Sequence, residues 1–216
     1  MKLSDLLESP ELRDETKDQS NWIDMDEYGN PGRFISIDTM DRKYDIIDQF
    51  RVATEPNVLF VVAISKAKQM AGIFFHTKTT ENRDVMGVAC LVYFKQPVIN
   101  HPPDDMKGHI LQIDRVATVS RYEGSDFATR LYVTLVKLGY IVVSDVVQYK
   151  GGMMLWKKLA RQTLSGRYLV HIFDREMNDY LRDNNQILSY NGNNLPDDNI
   201  WLTDKIGQRF ILIART

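Results

Sequence analysis

Apolar and polar positions along this chain change period several times, and each change marks an element. Three β-rich runs, NVLFVVAIS from Asn57, MAGIFFHT from Met70 and VMGVACLVYF from Val85, are separated by Lys66-Ala67-Lys68 and by the polar TKTTENRD. That pattern predicts an antiparallel meander. Gly72 and Gly87 inside two of the runs point to bulges or close backbone approach. HILQIDRVATVS, His109 to Ser120, is partly alternating and β-branched and predicts a strand, followed by the turn Arg121-Tyr122-Glu123-Gly124-Ser125-Asp126. Phe127, Leu131, Leu135 and Leu138 then recur on one helical face, and Gly139 supplies a stop. YIVVSDVV is a short apolar run suited to a buried parallel strand, and Gly151-Gly152 opens a second helix with Met153, Trp156, Leu159 and Ala160 on one side.

The flanks are less regular. Residues 1–32 form an arm with Leu3, Leu6 and Leu7 ahead of Pro10, a charged stretch, and the turn signal Gly29-Asn30-Pro31-Gly32. Trp22 either docks this arm or meets a partner, including a second copy in a homodimer. RFISID reads as a first strand. Asp38 or Thr39 then caps a helix running to about Arg51, with Met40, Tyr44, Ile47 and Phe50 at helical spacing. NHPPDDMKG from Asn100 is a loop, since Pro102-Pro103 excludes regular structure. After the second helix come a strand, Arg167 to Phe173, and a short helix, EMNDYLRDN, with Met177, Tyr180 and Leu181 facing inward. A turn-rich stretch and a final strand, QRFILIA, complete the chain.

Composition narrows the class. With 216 residues, 44% apolar and 26% charged, the chain reads as one globular domain, 33–216, preceded by the arm. A formal charge of −2 gives no long-range attraction to nucleic acid or anionic membrane. Cys90 is the only cysteine, so no intrachain disulfide forms, and a reducing cytoplasm fits. His76, His101, His109 and His171 lack metal-ligand spacing, so no metal site is expected. No apolar run reaches the roughly 20 residues that span a bilayer, and the first residues, MKLSDLLESPELRDE, carry no apolar signal core.

The strand-turn-helix-strand-helix series places a helix N-terminus at the end of a strand, where backbone N–H groups and the helix dipole can hold a phosphate. An ordinary strand-to-helix turn with Asp126 as a cap is the plain alternative. From His109 to Leu159 the sequence resembles the GNAT superfamily of N-acetyltransferases. The family's pyrophosphate loop, Arg/Gln-x-x-Gly-x-Gly/Ala, is similar to Arg121, Gly124 and the later Ala128, with Leu131-Tyr132 following in the helix. Gly152 and Leu155-Trp156-Lys157-Lys158-Leu159 resemble its next landmark. Ser144-Asp145, Gln148, Gly151-Gly152 and Trp156 to Leu159 together look like a subgroup met in bacteriophage genomes.

The resemblance implies an α/β fold with a GNAT-like mixed, twisted β-sheet flanked by helices, and acetyl-CoA (coenzyme A) as cofactor. It implies acetyl transfer to an amine acceptor on a small molecule or protein, in the cytoplasm, which is the host's if a phage encodes the chain. Arg121 would meet phosphate. The N–H groups of Glu123, Gly124, Ser125, Asp126, Phe127 and Ala128 would line the pyrophosphate. The backbone from Ala117 to Val119 would pair with the pantetheine arm, and Gln148 would bond its amides, while the family's usual asparagine aligns with Tyr149. Ser144-Asp145 ends a strand where α/β ligands gather. Asp145 there takes a proton from an attacking amine or anchors a cationic acceptor, or is simply a loop or cap residue. His109 or Asp114 is a further candidate base. The chain departs from the family at Asp126, a carboxylate where bare backbone is usual, and at Trp156, where a catalytic tyrosine is common. Trp156 also reads as core packing. A phage protein of the same shape that binds a host or phage protein without turnover is the alternative function, and a nucleobase-modifying enzyme a third.

Overall fold

The computed structural model describes residues 35–79, 81–99, 102–103, 106, 108–145, 150–163, 168–195, 200–201 and 209–216, with Lys150 described by its backbone only. The arm, His101, Gln148 and Tyr149 lie outside the described residues. The elements are β1 (Ile35–Ser36), α1 (Ile37–Lys43), β2 (Tyr44–Val52), β3 (Glu55–Ser65), β4 (Met70–Lys78), β5 (Asp84–Lys95) and β6 (Ile110–Thr118). A 3-10 turn (Ser120–Tyr122), α2 (Phe127–Lys137), β7 (Ile141–Val143), α3 (Lys150–Gln162), β8 (Leu169–Asp174), β9 (Asp179–Tyr180), β10 (Arg182–Asp183), β11 (Gln186–Ile187) and β12 (Phe210–Arg215) follow. This is an α/β chain with a mixed sheet whose hydrogen-bonded order is β2-β3-β4-β5-β6-β7-β12-β8-β9, with β1 on β5. The described residues divide into two units, 35–94 with 114–134 and 95–113 with 135–216, so that β6 and α2 each run through both.

In the amino-terminal unit, β3 to β5 are the expected antiparallel meander, and β2 adds a further antiparallel strand beside β3. The glycines inside it are seats for phenyl rings. A Cβ at Gly72 would lie 2.7 Å from the Phe74 ring, and one at Gly87 2.6 Å from the Phe75 ring. Phe60 to Ser65 of β3 are buried without interruption, because both faces are covered. Met40 of α1 packs with Val61, Ala63, Phe74, Val88 and Leu91 on one face. On the other, Phe50, Phe60, Phe75, Tyr122 and Phe127 form a cluster of rings with centroids 5.0 Å apart for Phe60–Phe127 and 5.5 Å for Phe60–Tyr122.

The expected helix to Arg51 is corrected. It ends at Lys43, and Tyr44 to Val52 is strand β2. The cap is Ser36, whose Oγ accepts from the Thr39 N–H at 3.2 Å, ahead of the expected caps Asp38 and Thr39. The helical spacing of Tyr44, Ile47 and Phe50 is the signature of a bulged strand. Ile46 pairs with Ala63 and Asp48 with Val62, so Ile47 is inserted between them. The insertion inverts the alternation. Tyr44 therefore meets Phe74 on one face, while Phe50 meets Phe60 on the other.

In the carboxy-terminal unit, β7 runs parallel to the start of β6 (Ile110↔Ile141, Gln112↔Val143) and antiparallel to β12, which pairs with β8. Ile141, Val143, Phe173, Ile211 and Ile213 make the core there. The helix α2 stops where Gly139 adopts φ +85°. The Gly139 N–H then reaches the Val136 carbonyl at 2.9 Å and the Tyr140 N–H that of Leu135 at 3.2 Å, a Schellman end.

The helix expected over EMNDYLRDN is also corrected, since the segment forms a turn and the short strands β9 and β10. Asp174 Oδ1 accepts from the N–H groups of Glu176 and Met177, at 2.9 and 3.2 Å, which offers the backbone a turn in place of a helix. Asn178, Asn184 and Asn185 sit at positive φ, and Met177 is 71% exposed rather than inward. No described helix is long and apolar enough to cross a membrane.

Candidate functional site

The turn between β6 and α2 carries Arg121, Glu123, Gly124, Ser125 and Asp126 of the residues singled out in the sequence, and Phe127 and Ala128 open α2. The turn's backbone is wound by its own hydrogen bonds: Tyr122 N–H to Val119 O at 2.7 Å, Glu123 N–H to Ser120 O at 3.2 Å and Ser125 N–H to Tyr122 O at 3.1 Å. Gly124 then adopts φ +79° and Asp126 φ +63° before α2 begins at Phe127. Asp is one of the few side chains that tolerate this region. Tyr122 and Phe127, on either side of the tip, are buried in the ring cluster and fix the turn to β3 and β4. Between them Gly124 is exposed, and among the described residues no atom beyond its chain neighbours lies within 4 Å of where its Cβ would be. The turn therefore presents bare backbone in open space beside the first N–H groups of an 11-residue helix.

The charged side chains of this turn are engaged. Arg121 donates to Glu55 Oε1, and the Tyr122 hydroxyl donates to Glu55 Oε2 at 3.3 Å. The hydrogen bond to Glu55 raises the Arg121 pKa further, while burial chiefly pushes the Tyr122 phenol up to about 12. Arg130 pairs with Asp48 at 3.5 Å and lies 3.7 Å over the Phe50 ring. Glu55 and Asp48 were not singled out in the sequence. They lie on the β2–β3 hairpin, and Glu55 is 66 residues from Arg121, so no local signal marks them.

On β6, Ala117 is buried and the Val119 N–H donates to Ala89 O of β5 at 3.0 Å. Val119 therefore spends its amide inside the sheet. Alternation turns the Thr118 N–H to the opposite edge of β6. The Thr118 hydroxyl meets Cys90 Sγ at 3.5 Å, and burial pushes that thiol up to about 12, which leaves it unreactive. Asp114, on the same strand, is half-buried beside Arg115 Nε at 3.9 Å. His109 is exposed and stacks loosely near Tyr140, with ring centroids 6.0 Å apart.

Ser144 and Asp145 belong to the carboxy-terminal unit, at the end of β7, and both are buried. The Ser144 hydroxyl donates to the Asp145 carbonyl at 3.1 Å and accepts from the Leu212 N–H at 3.0 Å. Gln112, fully buried, donates to the Ser144 carbonyl at 2.6 Å and accepts from the Val98 N–H at 2.8 Å. Asp145 receives a hydrogen bond from the Lys95 ammonium. Ser144 is thus a bolt between β7 and β12. The Asp145 charge is already matched, which weakens it both as a base and as an anchor for a cationic acceptor. Trp156 is 1% exposed within α3, as core packing requires. Among the described residues no cluster of histidine, cysteine and carboxylate side chains could hold a metal ion.

Comparison with protein-family models, with curated proteins and with solved structures finds no match to this chain.

Proposed function

We propose that the chain is an acyl-CoA-dependent N-acyltransferase of GNAT type, moving an acetyl group from acetyl-CoA to an amine. The observation that carries this reading is the open backbone at Gly124. A pyrophosphate needs bare N–H groups at a helix N-terminus, and among the described residues the Gly124 Cβ position is clear of other side chains and backbone. The parallel pair β6/β7 on either side of α2 is the arrangement that the resemblance implies. Acetyl-CoA would supply the acyl group as an activated thioester. Gly124, Phe127 and Ala128 would hold its diphosphate through their N–H groups, since the Ser125 N–H is taken by the Tyr122 carbonyl. Asp114, on β6 beside Arg115, would be a candidate to accept a proton from the amine.

A second reading has its own support. Arg121 is bound to Glu55, and Asp126 places a negative charge at the mouth of the turn. Both favour a protein of this shape that acts on a host or phage protein by binding, without turnover.

Calorimetry and thermal melting with coenzyme A and acetyl-CoA separate the two. Saturation at about a hundred times the dissociation constant stabilises by about 2.7 kcal/mol, which is roughly 5–10 °C for a chain of this size. Asp126→Gly removes a like charge near the bound diphosphate and should tighten binding several-fold, more so at low salt. No heat and no melting shift at millimolar ligand, in either protein, would support the binding-protein reading.

A further inference from the structure

The β2–β3 hairpin directs two carboxylates at the two arginines nearest the Gly124 turn. Glu55 holds Arg121, and Asp48 holds Arg130. The hairpin tip that carries Glu55 is itself fixed, because the Arg51 guanidinium donates to the Pro56 carbonyl at 2.9 Å and Val52 pairs with Glu55. Glu55 is also the more buried partner of its pair, with a side chain 19% exposed against 65% for Arg121, and its second oxygen is tied to the Tyr122 hydroxyl. The carboxylate is held at both oxygens, and the guanidinium is the partner more open to solvent.

We propose that Glu55 is an internal competitor for the diphosphate of the ligand, occupying Arg121 until a polyphosphate displaces it. The inference rests on the coenzyme reading of the turn and adds a regulatory element to it. A carboxylate and a phosphate oxygen compete for the same N–H fork of arginine, so one guanidinium cannot serve both with bidentate geometry. When the ligand binds, Arg121 leaves Glu55 for the diphosphate and Glu55 keeps only the Tyr122 hydroxyl. Asp48 acts on Arg130 in the same sense and more weakly, at 3.5 Å. An exposed pair of this kind contributes little to stability, so the competition is worth roughly a two- to fivefold change in affinity. That is enough to set a threshold for occupancy without closing the site.

The test measures coenzyme A affinity by calorimetry for wild type, Glu55→Gln and Glu55→Gln/Arg121→Ala. Glu55→Asp, which withdraws the carboxylate by one methylene, replaces Glu55→Gln if that variant fails to fold. The competitor role predicts binding two- to fivefold tighter in Glu55→Gln, with the gain lost once Arg121 is removed. Wild type that binds, with a Glu55→Gln affinity unchanged or weaker, overturns the competitor role and leaves the coenzyme reading standing. Wild type and Glu55→Gln that both fail to bind at millimolar coenzyme A overturn the two together.

Discussion

Two glycines with nearly the same backbone geometry separate strain from steric overlap. Gly124 has φ +79° and Gly192 φ +89°, so alanine at either pays the cost of the left-handed region, about 1 kcal/mol. Their surroundings differ. A Cβ at Gly124 meets nothing within 4 Å, whereas one at Gly192 lies 2.7 Å from the Lys157 carbonyl oxygen and 3.1 Å from Arg161 Cγ. The Lys157 carbonyl is helix backbone and cannot yield cheaply. The loop is also held, since Arg161 donates to Asn193 at 3.1 Å and Asn191 accepts from the Asn193 and Asn194 N–H groups at 2.9 Å.

Overpacking of this kind adds about 1–3 kcal/mol. With about 2–4 °C of melting temperature per kcal/mol, Gly124→Ala should melt about 2–4 °C below wild type and Gly192→Ala about 5–15 °C below. Circular dichroism melts of the two variants side by side are the assay. The steric reasoning is refuted if Gly192→Ala loses no more than Gly124→Ala. The modest cost at Gly124 has a functional use. A folded Gly124→Ala that no longer binds coenzyme A has lost the open backbone rather than the fold, and Gly124→Val strengthens the same effect, because a β-branched side chain fits poorly at positive φ.

Two further outcomes follow from buried groups in the carboxy-terminal unit. Trp156→Phe removes part of a fully buried ring and should lower stability by about 1–3 kcal/mol while leaving coenzyme binding unchanged; a variant that keeps its melting temperature and loses turnover would contradict the packing role of Trp156. Burial raises the Asp174 carboxyl, but hydrogen bonds from Arg209 and from the Met177 and Glu176 N–H groups outweigh it, so the net pKa lies below the ordinary carboxylate value. That stabilisation is present above the unfolded value of about 4 and is lost as pH falls through the lower folded value. Denaturant midpoints of wild type and Asp174→Asn should therefore differ at pH 7 and converge toward pH 3, and an equal gap at both would refute the linkage.

Much of the fold was legible because it is local. The meander, the strand ahead of Arg121, the helix from Phe127 and its end at Gly139 each follow from spacing within a few residues, and each appears where the spacing puts it. The turn itself was legible too, since Gly124 at the end of a β-branched run announces a change of direction. The two misread segments failed for different reasons. A three-residue spacing fits both a helix and a bulged strand at 44–52, and only the partner strand β3, through the inserted Ile47, decides between them. At 176–184 the helical spacing was overridden by a side chain, Asp174, that binds the backbone of the next residues.

The chemistry of the candidate site divides the same way. Residue types and order named Arg121, Gly124, Ser144 and Asp145, because those signals are carried by neighbours in the chain. What each side chain is free to do was decided by residues far away: Glu55 for Arg121, Lys95 for Asp145, Leu212 for Ser144 and Ala89 for Val119. Sequence determines backbone preference over a turn or two, since φ and ψ are limited by adjacent atoms. The availability of a charge or a hydroxyl depends on partners brought together only when the sheet forms, and that is a property of the tertiary structure alone.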